Sequence, residues 1–286
     1  MSASQTTHNA RRCLLFVPGI RPERFDKALA SGADQVCLDL EDAVPPGDKD
    51  AARQLCFEFL GAPRSARCEV GLRINVISSD FGRRDLRELI ASGLKPAFVM
   101  LPKVELPDEV RVAIEALAPA QVPIIAQLES PTAIFEARAI ARAGAGHLQA
   151  LMFGGYDYAI AARCTPGWDA WLWARAQLVA AAAEAEVGAI DVPSLELNDA
   201  AQVADETRRV LALGFTAKSA IHPAQVASIQ AAFVADSAAV ERARRIVAAA
   251  EGAGGAAVAI DGKLVDRPVE LAARRTLALA AQSHQE

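Results

Sequence analysis

Eight apolar runs punctuate this chain, and charged groups follow six of them. The run-ends carry Asp39-Leu40-Glu41-Asp42, Arg73-Ile74-Asn75, Pro102-Lys103-Val104-Glu105, Gln127-Leu128-Glu129, Gly154-Gly155-Tyr156-Asp157 and His222-Pro223. Glu129 and Asp157 are isolated acids behind neighbouring runs. Two carboxylates with room for waters and a substrate oxygen suit octahedral Mg²⁺. The alternative for Glu129 is a cap on the following helix or a pair with an arginine. Zinc is not expected, because His8, His147, His222 and His284 form no cluster with one another or with cysteine.

Arg73 closes the third run. A fixed guanidinium there can grip a carboxylate with two parallel hydrogen bonds and balance an enolate charge. It can equally form a structural pair with the acidic group Asp39, Glu41 and Asp42. Asp39 and Glu41 share a strand parity, so both point inward if the extended backbone persists. Buried without partners they would be costly, so Arg73, Lys103 or water must face them. Lys103 is in the place of a Schiff-base lysine, but that chemistry needs a desolvated amine with a depressed pKa. An acid-lined rim works the other way, so Lys103 takes an electrostatic role. His222 either caps the last barrel helix or takes part in chemistry. Tyr156, Tyr158, Trp168, Trp171 and Trp173 read as packing.

These residues need elements that bring the run-ends to one rim. The runs Cys13–Val17, Val36–Leu40, Glu69–Asn75, Ala97–Leu101, Pro123–Leu128, Leu148–Phe153, Ala189–Val192 and Thr216–Ile221 lack alternation, as parallel strands buried on both faces do. Helical patterns follow them, including Pro22–Ala30, Asp48–Leu60, Arg83–Ala91, Pro131–Ala143, Trp168–Ala185 and Pro223–Phe233. Pro22, Pro131 and Pro223 fit first-turn positions, Ser130 or Asn198 fit N-caps, and Gly32, Gly93, Gly144 and Gly214 fit helix stops. Eight β-then-α units predict a closed (β/α)₈ TIM barrel over residues 11–235, with strand C-termini at the active rim. An open doubly wound sheet would carry a GxGxxG turn after the first strand, where Val17-Pro18-Gly19-Ile20-Arg21 stands. Residues 236–286 then form a C-terminal extension: a helix over Asp236–Ala250, a glycine hinge at Gly252–Gly255, a hairpin around Asp261-Gly262 and a helix over Pro268–Ala281.

The 286 residues, 52% apolar and 23% charged, can bury a large core. A net charge of −5 disfavours nucleic-acid and membrane-surface partners, which need a basic face. Cys13, Cys37, Cys56, Cys68 and Cys164 form no CxxC pair, and the N-terminus has no apolar signal core. Both features point to a reduced, cytoplasmic protein.

Leu14-Leu15-Phe16-Val17-Pro18-Gly19, Asp39-Leu40-Glu41-Asp42-Ala43-Val44, Arg73-Ile74-Asn75, Leu101-Pro102-Lys103-Val104-Glu105 and Ile221-His222-Pro223 occur in this order. In that combination the chain resembles the citrate lyase beta-subunit-like (CitE-like) branch of the HpcH/HpaI aldolase/citrate lyase family, from about Arg11 to the final helix. The resemblance implies a Mg²⁺-dependent carbon–carbon lyase acting beside a thioester. Its expected substrates are an acyl-CoA and a 2-oxo acid, joined in a malyl-CoA or citramalyl-CoA type of product. It implies Glu129 and Asp157 as metal ligands and Arg73 as the substrate-binding arginine, with Glu129 also beside the substrate. Asp39, Glu41 and Lys103 complete the expected catalytic group; no residue is assigned to CoA. Asp266 matches a tail aspartate that enters a neighbouring subunit's site, which implies a homotrimer or hexamer with shared sites and a lid built from the extension. Three alternatives stand beside this: an aldolase of free hydroxy-oxo acids, a malyl-CoA-type thioesterase, and a non-catalytic subunit of a larger lyase complex.

Overall fold

The computed structural model describes residues 11–63, 68–234, 236–254 and 256–283. His8 and His284, the expected domain boundary at Ala235, and Gly255 of the expected hinge lie outside the described residues. Two compact units divide the chain, one ending at Ile229 and the other starting at Gln230.

The first unit is a closed barrel of eight parallel strands in sequence order, β1 Cys13–Pro18, β2 Gln35–Asp39, β3 Glu69–Arg73, β4 Val99–Leu101, β5 Ile124–Leu128, β6 Leu148–Phe153, β7 Gly188–Asp191 and β8 Ala217–Ala220. β1 pairs with β8 to close it. The apolar runs are therefore strands buried on both faces, by the barrel interior and by the helices. Leu14, Cys37, Phe98, Met100, Ile125, Ala150, Met152, Ile190 and Ala217 pack into one buried cluster. Phe98 fills so much of it that a Cβ on Gly71 would come within 2.4 Å of its ring, so only glycine fits there. Cys13, Cys37 and Cys56 are buried free thiols, in keeping with a packing role.

Helices begin where the local chemistry provides for it. Ser130 Oγ accepts from the Ala133 N–H at 3.1 Å and Pro131 takes the first turn of helix Pro131–Ala143. Gly93 and Gly214 end their helices in the left-handed conformation. At the helix Ala200–Leu213 the cap is Asp199 rather than Asn198, accepting from the Gln202 N–H at 2.9 Å. The indoles divide as expected of packing residues. Trp171 is buried, Trp173 meets Phe135 at 5.2 Å, and Trp168 lies 3.9 Å from the Arg209 guanidinium. Among the described residues no helix is long and apolar enough to cross a membrane.

In the second unit, helices Ser237–Gly252 and Arg267–Ser283 are joined by an antiparallel hairpin, Val258–Ile260 with Lys263–Val265. Asp261 and Gly262, at φ 49° and 73°, supply the two left-handed residues of its two-residue turn. The helices meet over Ala243, Val247 and Ala273.

Candidate active site

The strand C-termini surround a cavity of about 430 Å³ in the barrel unit. One side is polar, with Asp39, Asp42, Arg73, Gln127 and Asp157. Phe16 lies under the Arg73 guanidinium at 4.9 Å, and Met152, Val192, Pro193 and Ile221 supply an apolar stretch of the lining. The expected rim is thus brought together by β2, β3, β5 and β6.

Glu129 follows β5 directly and is buried. Its Oε1 accepts the Lys103 N–H at 2.8 Å, while its Oε2 is buried with no hydrogen-bond partner. A Cβ on Gly154 would lie 2.5 Å from that oxygen, so glycine is required opposite it. Burial pushes the Glu129 carboxyl up to about 8; the Lys103 N–H opposes this and the Asp157 charge adds to it. Glu129 neither caps the next helix, which Ser130 does, nor pairs with an arginine as its hydrogen-bond partner. Asp157 is half-buried on a short helix, Gly155–Ala162, rather than in an extended strand end. A buried carboxylate oxygen without a donor, beside a second carboxylate, fits a divalent cation held by oxygen. Among the described residues no third His, Cys, Asp or Glu joins such a group, so a cation there would keep several positions for water or substrate.

Arg73, at the end of β3, is buried and grips Asp39 with a fork: Nε to Oδ1 and Nη2 to Oδ2, both 2.7 Å. Its Nη1 donates to Gln127 Oε1 at 3.4 Å and lies 3.3 Å from Glu41 Oε2. Nε, one Nη2 N–H and both sides of Nη1 thereby face protein acceptors, and the second N–H of Nη2 is left for a ligand. Burial works against the Arg73 cation, but the Asp39 charge outweighs it and raises its pKa. Asp39 also accepts from the Glu41 and Ala43 N–H groups, at 2.8 and 3.3 Å, so it is saturated and acts through Arg73.

Asp39 and Glu41 are both buried, but β2 stops at Asp39 and Glu41 lies in the bend after it, so the extended backbone that the parity argument needs does not persist. Glu41 pairs with Lys103, which also donates to Asp42 at 2.9 Å. Burial raises the Glu41 pKa against the pull of Arg73 and Lys103. Burial disfavours the Lys103 ammonium, but Glu41 and Asp42 dominate and raise its pKa, the opposite of what a Schiff-base amine needs. Lys103 is left-handed at φ 50°. That strained conformation turns its N–H to Glu129 while its ammonium meets Glu41 and Asp42.

Several supports were not singled out from the sequence. Lys49 Nζ donates to the carbonyls of Leu40 and Glu41 at 2.8 and 2.6 Å, fixing the turn after β2. Asp85 accepts from Arg53 Nε at 2.7 Å and from the Asn75 N–H and Nδ2 at 2.8 and 2.6 Å, fixing the turn after β3. Both acting cations lie one helix away from their targets, and only the basic residue on an otherwise buried helix face signals them. His222 Nδ1 accepts the Ala224 N–H at 3.2 Å, a capping contact. Asp266 is exposed in the second unit, and its Oδ1 accepts the Val269 N–H at 3.3 Å, at the start of the last helix.

The sequence pattern of the HpcH/HpaI aldolase/citrate lyase family matches residues 12–223. Citrate lyase subunit beta of Leuconostoc mesenteroides subsp. cremoris is 30% identical over 288 residues, covering 96% of this chain and 94% of that protein. L-malyl-CoA/beta-methylmalyl-CoA lyase of Cereibacter sphaeroides is 34% identical over 287 residues, covering 89% and 90%. The structure of CitE from Mycobacterium tuberculosis, in complex with magnesium, acetoacetate and coenzyme A, matches with a TM-score of 0.83 and 31% identity over 95% of this chain and 98% of that one.

Proposed function

The chain belongs to the HpcH/HpaI aldolase/citrate lyase family, and on that premise we propose that it cleaves or forms a 3-hydroxyacyl-CoA thioester of the malyl-CoA or citramalyl-CoA type. It is a carbon–carbon lyase of the citrate lyase beta-like branch. The observation that carries the proposal is the unpartnered, buried Oε2 of Glu129 behind Gly154, which lines the cavity. Glu129 and Asp157 would hold Mg²⁺. Bound there, the metal supplies a Lewis acid for the carboxylate and keto oxygens of a 2-oxo acid.

The chain's own residues do the rest. Arg73 turns its remaining Nη2 N–H toward the oxygen on which negative charge develops. Asp39 and Gln127 hold that guanidinium in plane. Glu41 and Lys103 keep the adjacent wall rigid and the Lys103 N–H on Glu129. In cleavage, the hydroxyl proton leaves to a base and the bond between the carbinol carbon and the thioester α-carbon breaks. Its electron pair passes to the thioester as an enolate, and a proton returned to that carbon completes the acyl-CoA. We assign this last proton to Asp266 of a neighbouring subunit in a homotrimer or hexamer, with the extension acting as a lid that excludes water.

The test is incubation with Mg²⁺ and a panel of acyl-CoA thioesters and free hydroxy-oxo acids, followed by mass spectrometry. Cleavage confined to CoA thioesters, lost on chelation, is the expected result. Activity on the free acids alone, or full activity after exhaustive chelation, would overturn the proposal.

A further inference from the structure

The two sides of the cavity differ in charge in a way that sorts substrates. Among the described residues lining it, Arg73 is the one cation, and it is gripped by Asp39, while Asp42 and Asp157 are the other acids of the lining. On the lyase reading, the carboxylate and keto oxygen of a 2-oxo acid would take up that polar side. Only the apolar wall is left for the third group on C2. Val192, Pro193, Met152 and Ile221 form it, with the Tyr156 hydroxyl at its edge. The wall offers little to an anion. Pro193 has no N–H, and the Tyr156 hydroxyl already donates to the Pro193 carbonyl at 3.4 Å.

Nor is the wall free to rearrange. Lys218 Nζ donates to the Val192 carbonyl at 2.8 Å, Ser219 Oγ to the Asp191 carbonyl at 2.7 Å, and Gln225 Nε2 to the carbonyls of Ser194 and Glu196 at 2.9 and 2.8 Å. The two cations nearby in this network are spent. Lys218 and Arg175 are buried and both pair with Asp191, at 2.9 and 2.8 Å.

We infer that the Val192–Pro193 wall, with Met152 and Ile221, is the specificity surface for the C2 substituent of the 2-oxo acid, accepting methyl or hydrogen and rejecting carboxymethyl. This rests on the lyase reading above and deepens it. A carboxymethyl group would bury a second carboxylate against apolar side chains with no cation to meet it. A methyl group gains contact that hydrogen does not, worth about fourfold for one buried methyl. The expected order of kcat/KM is therefore citramalyl-CoA, then malyl-CoA, with citryl-CoA lower than the first by roughly 100-fold or more.

The experiment measures cleavage of the three thioesters by the full chain in excess Mg²⁺, and in parallel the calorimetric Kd of pyruvate and oxaloacetate. Ile221 is 42% exposed, so Ile221→Arg can add a cation at the rim without opening the core. That variant is expected to raise citryl-CoA relative to citramalyl-CoA at least about tenfold, as a charge-assisted pair would. Citryl-CoA cleaved within about threefold of citramalyl-CoA by the unaltered chain would overturn the inference and leave the lyase reading intact. Three intact thioesters would overturn the lyase reading. The wall is then judged on binding, where oxaloacetate held as tightly as pyruvate overturns it.

Discussion

Two clusters of charge lie in the barrel unit, one buried and one reaching the mouth, and they are built on opposite plans. In the first, Asp191 at the end of β7 accepts from Arg175 at 2.8 and 3.1 Å and from Lys218 at 2.9 Å. The Arg175 guanidinium also stacks on Trp171 and Trp168, at 5.0 and 5.2 Å. One acid meets two cations and each charged oxygen is satisfied. In the second, at the mouth, Asp39, Glu41, Asp42, Glu129 and Asp157 meet Arg73, Lys103 and Lys49. One carboxylate oxygen, Glu129 Oε2, has no donor. The first cluster is closed and holds loops in place. The second is short of positive charge in the direction of the cavity, which is the condition for taking up a cation and an electrophilic substrate. The first is also buried throughout, whereas Asp42, Lys103 and Asp157 of the second reach solvent, so burial and charge closure change together.

Removing an acid from each cluster should separate the two plans most sharply. Glu129→Gln takes away the proposed metal ligand, whose Oε2 accepts nothing from the described residues. Turnover should fall by about 10³-fold or more, with loss of Mg²⁺ binding in calorimetry and a melting temperature within a few degrees of the parent. Asp191→Ala should do the reverse. It leaves Arg175 and Lys218 buried without their partner, costing about 3–5 kcal/mol, read as a fall of roughly 10 °C in thermal unfolding. A stable Asp191→Ala chain, or a Glu129→Gln chain that unfolds early, would dissolve the distinction.

The open cluster was far easier to see in the sequence than the closed one. Glu129, Arg73 and Lys103 follow apolar runs directly, and a parallel strand buried on both faces reads as such a run. The barrel was legible for the same reason, though ends shifted. The third run was read through Asn75, whereas β3 stops at Arg73, because Ile74 and Asn75 stay buried after the ladder ends. Asp157 was placed at a strand end but sits on the helix Gly155–Ala162. That helix is one of eight residues, begins at Gly154 with no side-chain cap, and shows no polar face to mark it. The Asp191 network had no local signal. Its members come from β7, β8 and the helix Trp168–Glu184, and only closure of the barrel brings them together.

Arginine chemistry gives a finer cut. Arg73 forks onto Asp39 and keeps one Nη2 N–H for a ligand. Arg73→Lys retains a charge but loses the fork, so turnover should drop about 100-fold in steady-state kinetics, with a smaller change in stability. A variant within about threefold of the parent, worth roughly 0.7 kcal/mol of barrier, would make Arg73 a structural pair like Arg175.

Asp266 belongs to neither cluster, and its test has the smallest expected signal. It is exposed, and the hydrogen bond of its side chain, accepted from the Val269 N–H at 3.3 Å, is a long cap that a neighbouring site could replace. Asp266→Ala and Glu129→Ala should each be inactive if the aspartate supplies the proton at the thioester carbon. Mixed under conditions that exchange subunits, they should regain activity. With random mixing, about a quarter of the interfaces would join an intact Glu129 to an intact Asp266 from the other chain. Recovery of that order is a signature that an aspartate serving its own subunit cannot produce, because every chain then carries one lesion in its own site. Exchange demonstrated by mass spectrometry with no recovered turnover would return Asp266 to its capping role and leave the open cluster to find its proton donor within the barrel.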